Sequence, residues 1–317
     1  MHPVFLFFIG LVCLYIGGEF LVKGAISLAS RIGISTLAIG LTVLSFATSA
    51  PELFVSLNAA ISGNTNIMYG NIIGSNIANI ALVLGITAII CPLKINKTTY
   101  SFVLPSVLFF SITLSLLLWH KETFSQAMGI FSLIILAIFI LIAFNKSRKG
   151  NESDLDANIQ TENNESNSIF VSILFISSSI FLLKYGADWL VDGAVYIANI
   201  FGISDTIIAV TIVAFGTSAP ELVTSIIAAL RKEADLAIGN LLGSNIFNIL
   251  AVLGVTSLAA ELKVEDIQII LFDIPWMLGI TMLFGIFIYN SKIKLIKREE
   301  GLFLFLSYIA YIVFSLF

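Results

Sequence analysis

Charge is scarce in this chain of 317 residues. Asp, Glu, Lys and Arg make up 11% of it against 58% hydrophobic residues, and the mean hydropathy is +1.02. A soluble globular domain, in which about a quarter of the residues are charged, is excluded by that balance. Histidine is almost missing, with His2 and His120 alone, both at the ends of apolar segments. Cysteine is limited to Cys13 and Cys91, which lack CxxC spacing and a nearby His. No disulfide framework or soft-metal centre is therefore expected, and both cysteines are read as small buried residues. The net charge of −4 says little, because where the charges lie matters more than their sum, and no nucleic-acid partner is expected.

What it has in abundance is long apolar runs. Ten can be separated, at roughly 3–30, 36–61, 66–91, 100–119, 125–144, 168–200, 204–230, 236–260, 265–289 and 300–317. Nearly all can cross a hydrocarbon core of ~30 Å, which takes about 20 helical residues. The expected fold class is an all-α integral membrane protein of ten transmembrane helices. The start, MHPVFLFFIG, has no basic n-region and is read as the first span rather than a signal peptide.

Numbering the connections alternately places Arg31, Lys94, Lys97, Lys146, Arg148, Lys149, Arg231, Lys232, Lys292, Lys294, Lys297 and Arg298 on one side. Lys121 and Lys263 lie on the other. By the positive-inside rule the first side is cytoplasmic and both termini face outward. Lys23 and Lys184 fall within segments and are expected to pair with Glu19 and Asp188 at helical spacing.

The chain repeats itself. FATSAPEL at 46–53 returns as FGTSAPEL at 215–222, and GNIIGSN at 70–76 returns as GNLLGSN at 239–245, both offset by 169 residues. Residues 145–168 form the one sustained polar stretch and are read as a flexible cytoplasmic linker. They divide the chain into a first five-span half, 1–144, and a second, 169–317. With an odd number of spans in each, the second half must enter the membrane from the opposite face, which makes the repeats inverted.

Each copy of the first motif puts a carboxylate, Glu52 or Glu221, beside a proline inside an apolar segment. An acid at a helix centre in the bilayer costs at least ~2.5 kcal/mol, so both are functional by default. Pro51 and Pro220 each remove a donor and should open the helix near Ala47 and Gly216, as broken helices whose freed carbonyls face inward. Thr48 and Ser49 precede Glu52 by four and three residues, as Thr217 and Ser218 precede Glu221. The second motif adds Ser75 and Asn79, four apart, and Ser244 and Asn248 likewise. Gly70, Gly74, Gly239 and Gly243 form small-xxx-small pairs that allow close helix approach. Every candidate ligand is oxygen, a set that suits Ca²⁺ or Na⁺ rather than Zn²⁺ or Cu²⁺. Asp273, followed by Pro275, has no acidic partner in the repeat and is read as structural.

At these residues the chain resembles the sodium/calcium exchangers of the calcium/cation antiporter superfamily, especially the compact prokaryotic members, whose alpha-repeats carry GTSxPE followed by GNxxGSN. The resemblance implies exchange of Na⁺ for Ca²⁺ by alternating access in a bacterial or archaeal plasma membrane, with the first and sixth spans sliding as a gating pair. It implies no cofactor, lipid as the surroundings, and one chain carrying a whole site. The implied ligands are Thr48, Ser49, Glu52, Ser75 and Asn79 with Thr217, Ser218, Glu221, Ser244 and Asn248, plus backbone carbonyls near Ser45 and Ala214. Two residues depart from the pattern. Ala47 replaces the usual glycine and is expected to stiffen the first break slightly. Asn248 stands where several relatives have Asp, so two Glu are the fixed charges of the centre. One Ca²⁺ or two Na⁺ would neutralise them, and three Na⁺ would leave +1.

A proton-coupled or other-cation antiporter of the same superfamily is the alternative. A channel would need an oxygen-lined filter, and usually several equivalent subunits around a pore. A hydrolase using Ser49 or Ser218 lacks a His or Lys base in the motif, so no enzyme is expected.

Overall fold

The computed structural model describes residues 2–120, 123–158, 168–201, 214–264 and 266–315, with side chains 148–158 and 214 left aside. It is helical almost throughout. In hydrocarbon a backbone has no water to bond, so an apolar run satisfies its N–H and C=O groups by coiling.

The helices are α1 (Pro3–Ile32), α2 (Thr36–Thr48), α3 (Ala50–Ile61), α4 (Thr65–Ile90), α5 (Thr99–Trp119) and α6 (Gln126–Asn158). After them come α7 (Ile169–Ile200), α8 (Ala214–Thr217), α9 (Ala219–Leu230), α10 (Ala234–Ala259), α11 (Ile269–Asn290) and α12 (Arg298–Ser315). Among the described residues, seven are long and apolar enough to cross a membrane, or eight if α2 and α3, bent by 46°, count as one span. The remaining two expected spans are described less fully. The start of the seventh falls on 202–213, outside the described residues, and α12 begins with the charged run Arg298, Glu299, Glu300. The expected linker also differs: α6 stays helical to Asn158, because an established helix adds one hydrogen bond per residue without needing an apolar partner.

Burial sorts the helices. In α4 and α10, 83% and 94% of the most apolar window is covered, so these two form the centre. By contrast α1 and α7 cover only 28% and 22% and lie at the periphery. They pack antiparallel along their lengths through small residues. A Cβ on Gly10 would come within 2.6 Å of the Leu190 nitrogen, one on Gly186 within 2.9 Å of the Leu14 nitrogen, and one on Gly24 within 3.0 Å of the Ser172 carbonyl oxygen.

A turn after α1 leads back into the membrane. Gly33 takes φ +68°, and the Ser35 side chain accepts from the Ala38 N–H to cap α2. Between helices, Leu93 and Lys94 pair antiparallel with Ile296 and Leu295, and Phe124 bridges Leu262. The Lys23–Glu19 pair (3.4 Å) and the Lys184–Asp188 pair (2.9 Å) form as expected, and Glu19 is also held by Arg231.

Candidate cation site

Both motif copies break their helix at the serine. Ser49 (φ −84°, ψ 4°) separates α2 from α3, and Ser218 (φ −90°, ψ 2°) separates α8 from α9. The opening therefore lies two residues beyond Ala47 and Gly216. The physical reason is that proline is favoured in a first turn, where its missing N–H has no partner to lose. Pro51 and Pro220 accordingly occupy the second position of new helices.

The second motif ends in a different irregularity. Asn79 and Asn248 each begin a π-helical turn, Asn79–Leu84 and Asn248–Val252, at matching places of the repeat. Such wide turns inside α-helices are frequent at functional sites. The two halves cross over there: α3 packs against the Asn248–Val252 turn, and α9 against the Asn79–Leu84 turn. Each glutamate helix thus meets the asparagine turn of the other half.

A further crossing, of α2 with α10, owes its close approach to the expected glycines. A Cβ on Gly239 would lie 2.7 Å from the Leu37 carbonyl oxygen, and one on Gly243 would lie 2.8 Å from Leu41 Cα. Gly40 answers from α2, 2.7 Å from the Leu236 carbonyl oxygen. The seam brings Thr48 of the first half to the second, where its hydroxyl donates to Asn240 Oδ1 at 3.1 Å and meets Ser244 Oγ at 3.3 Å. Ser45 donates to the carbonyls of Gly40 (2.7 Å) and Asn240 (2.9 Å). For Gly70 and Gly74 the matching segment by repeat register lies in 202–213, outside the described residues.

A layer of asparagines, most of them outside the expected ligand set, supports the candidate ligands. Asn79 Nδ2 donates to Asn245 Oδ1 at 3.0 Å, and Asn245 Nδ2 donates to the Asn76 carbonyl at 3.3 Å. Asn240 Nδ2 donates to Thr224 Oγ1 and Ser225 Oγ, and its counterpart Asn71 donates to the Glu52 carbonyl and Ser56 Oγ. The signal was present, since Asn71 and Asn240, Asn76 and Asn245, and Ser56 and Ser225 all repeat at the 169-residue offset.

The candidate residues are deeply enclosed. Thr48, Ser49, Glu52, Ser75, Asn79, Ser218, Glu221, Ser244 and Asn248 are all buried; Thr217 is half-buried, and Ala214 opens the short α8. Glu52 and Glu221 are electrostatic neighbours, and Thr48 stands beside Glu221 without closing a hydrogen bond to it. Ten buried side-chain polar atoms lack a partner among the described residues; six lie within the two motif pairs, and three more are on Asn79 and Asn248 just beyond them. They include one oxygen of Glu52, both of Glu221, Ser49 Oγ, Ser218 Oγ, Asn79 Oδ1 and both polar atoms of Asn248. An unsatisfied buried polar group costs about 1–3 kcal/mol, so such a concentration points to a bound species that supplies positive charge.

The whole chain has relatives of the same build. The sodium/calcium exchanger protein family matches residues 2–145 and 171–317. The chain belongs to the sodium/calcium exchanger family. Sodium/calcium exchanger MaX1 of Methanosarcina acetivorans is 32% identical, over 96% of this exchanger and 96% of that protein. The membrane protein MJ0091 of Methanocaldococcus jannaschii is 35% identical, over 96% and 94%. Among solved structures, the sodium-calcium exchanger NCX_Mj soaked with Na⁺ and Ca²⁺ superposes with a TM-score of 0.82 at 32% identity, over 99% of this exchanger and 98% of that chain. Family and fold together make this exchanger a cation antiporter of the membrane, in a family whose members are transporters.

Proposed function

We propose that this exchanger moves Na⁺ against Ca²⁺ by alternating access through one site between Glu52 and Glu221. The observation that carries the reading is the set of unpartnered buried polar atoms on the two motif pairs. A Ca²⁺ ion takes 6–8 oxygens, and the carboxylates, hydroxyls and amide carbonyls of Thr48, Ser49, Glu52, Ser75, Asn79 and their second-half counterparts are of that kind. Backbone carbonyls near Ser45 and Ala214 complete the proposed set.

The coupling follows from electrostatics. An occupied centre whose two carboxylates are neutralised can pass the apolar barrier, whereas two bare carboxylates cannot. Na⁺ and Ca²⁺ compete for overlapping oxygens, so an ion must be carried in each direction. The glycine-lined seam of α1 and α7, peripheral to the rest, supports their role as the sliding pair.

The ten-span, inverted arrangement belongs to this proposal, as does the division into halves at 1–144 and 169–317. Hydrogen bonds between connections support it. Ile95 bonds Lys294, joining the third and ninth connections, and Ser35 bonds Ser147, joining the first and fifth. Phe124 bonds Leu262, joining the fourth and eighth, and Thr65 bonds Lys263, joining the second and eighth. Each pair links connections of equal parity, as alternate crossings require. With the Lys and Arg asymmetry, the odd connections are cytoplasmic and both termini outside.

The test is flux in reconstituted vesicles. Glu52→Gln and Glu221→Gln should each abolish Na⁺-driven Ca²⁺ uptake, and retention of exchange in both would refute the site. An imposed pH gradient that drives Ca²⁺ uptake where a Na⁺ gradient does not would assign proton coupling instead. Asn248→Asp should leave flux unchanged if Asn248 stands in for a protonated Asp. A transport current found only in that variant would mark the native exchange as electroneutral.

A further inference from the structure

Asp273 lies on α11, outside the two repeated motifs, and the first half has no acid at the matching place, where Val103 and Leu104 stand. A purely structural acid at membrane depth would be expected to be fully paired. Here Tyr311 of α12 donates to Oδ1 at 3.0 Å, and among the described residues this is the carboxylate's one hydrogen bond.

Beside it is a cavity of about 380 Å³. Gln268, which is exposed, lies at its mouth; Asp273 and Tyr311 are on its wall; Asn71, Ser75 and Thr217 line it further in. The cavity therefore runs from the α11 and α12 ends to two of the candidate ligands. Ser75 is only 4% exposed and makes no side-chain hydrogen bond among the described residues, so its hydroxyl is an unpartnered group on the inner lining. Asp266, also exposed, accepts from the Gln268 N–H and adds a negative charge at the entrance. From Gln268 to Asp273 the helix rises roughly 7 Å, which sets the carboxylate part-way along the path. A second cavity, about 640 Å³, is lined by Leu37, Leu41, Lys97 and Lys146 and, among the described residues, by none of the candidate ligands.

We propose that Asp273 recruits cations for the antiporter, holding an incoming Na⁺ or Ca²⁺ on the wall of this cavity before it passes to Ser75 and Thr217. The proposal rests on the central site between Glu52 and Glu221. Its free oxygen is the ligand, and Tyr311 orients the carboxylate through the other. A low-dielectric cleft of one sign concentrates counter-ions and speeds their entry.

The experiment measures flux of the full-length protein in unidirectionally oriented vesicles, varying the ion on one face at a time. Asp273→Asn should raise the half-saturating Ca²⁺ and Na⁺ concentrations on the cavity's face by about three- to tenfold, leaving maximal rate and the opposite face unchanged. The difference from wild type should shrink at high choline chloride, and Tyr311→Phe, which keeps the carboxylate but loses its orienting bond, should raise half-saturation by less than Asp273→Asn does. Unchanged half-saturation on both faces would overturn the proposal. So would equal losses of maximal rate and thermal midpoint in Asp273→Asn and Tyr311→Phe, the mark of a structural lock. Should Asp273→Asn not fold, Gln268→Lys at the exposed mouth decides: a higher half-saturating concentration on that face supports the entry path, and none overturns it. Exchange retained by both Glu→Gln variants would instead sink the central site, a result separable from the Asp273 outcome.

Discussion

Gly243→Ala offers a stringent test of how the site is held together. The added methyl would sit 2.8 Å from Leu41 Cα, 2.9 Å from the Leu41 carbonyl oxygen and 2.1 Å from Ser45 Oγ. Ser45 can rotate away; the backbone of α2 cannot. Restoring an ordinary contact of at least 3.4 Å requires α2 and α10 to separate by about 0.6 Å. The contact between Thr48 Oγ1 and Ser244 Oγ, now 3.3 Å, would then stretch to ~3.9 Å, beyond hydrogen-bond range. Overpacking of this kind costs about 1–3 kcal/mol. Two readouts follow: a lower thermal midpoint in detergent, and a loss of at least tenfold in Na⁺-driven Ca²⁺ flux per reconstituted molecule. Gly279→Ala is the control, because no described residue lies within 4 Å of its Cβ position, and alanine's better helix propensity should stabilise by about 0.5–1 kcal/mol. Wild-type flux and midpoint in Gly243→Ala would refute the reasoning, since they would mean that the seam does not set the ligand geometry.

Asn240→Ala removes the donor shared by Thr224 and Ser225 and the acceptor of Thr48, and should destabilise by roughly 1–3 kcal/mol for each group left unpaired. Chemical denaturation in detergent measures it, and a loss under 0.5 kcal/mol would show that the asparagine layer is dispensable. Glu233, in the connection before α10, has its carboxyl held above the ordinary range by burial and then by the Asp235 charge, with a hydrogen bond from Thr36 opposing. A folded-state acid with a raised pKa binds its proton more tightly than the unfolded chain, so its stabilisation is complete below about pH 4 and is lost as pH rises through the folded value. Glu233→Gln should flatten that decline in thermal midpoint; an unaltered pH profile would exclude Glu233 as its source.

Glu52 and Glu221 were legible because an acid in an apolar span is costly and a second copy at a fixed offset makes accident hard to sustain. Their neighbours at helical spacing, Thr48 and Ser49 with Thr217 and Ser218, followed from the same periodicity. The roles of Asn71, Asn76, Asn240 and Asn245 were not legible, since nothing within one helix distinguishes an amide that touches an ion from one that braces the residue beside it. The breaks were legible from Pro51 and Pro220 but lie two residues beyond Ala47 and Gly216, because each proline sits in the first turn of a new helix instead of opening the old one at the carbonyl four residues before it. Residues 145–158 read as linker from their polarity, yet the helix carries through them.

The sequence alone determined that this protein lives in lipid, that it is a duplicated chain, and that its concentrated chemistry is hard oxygen around two carboxylates. Those properties are set by composition, repeat offset and helical period, all of which are local or additive along the chain. Tertiary structure alone decided that Thr48 answers Ser244 and Asn240, that Gly40, Gly239 and Gly243 form the tight seam, and that Asp273 borders a cavity reaching Ser75. The helical period says which residues share a face but not which helix lies opposite, and that choice is made by packing among elements far apart in the chain.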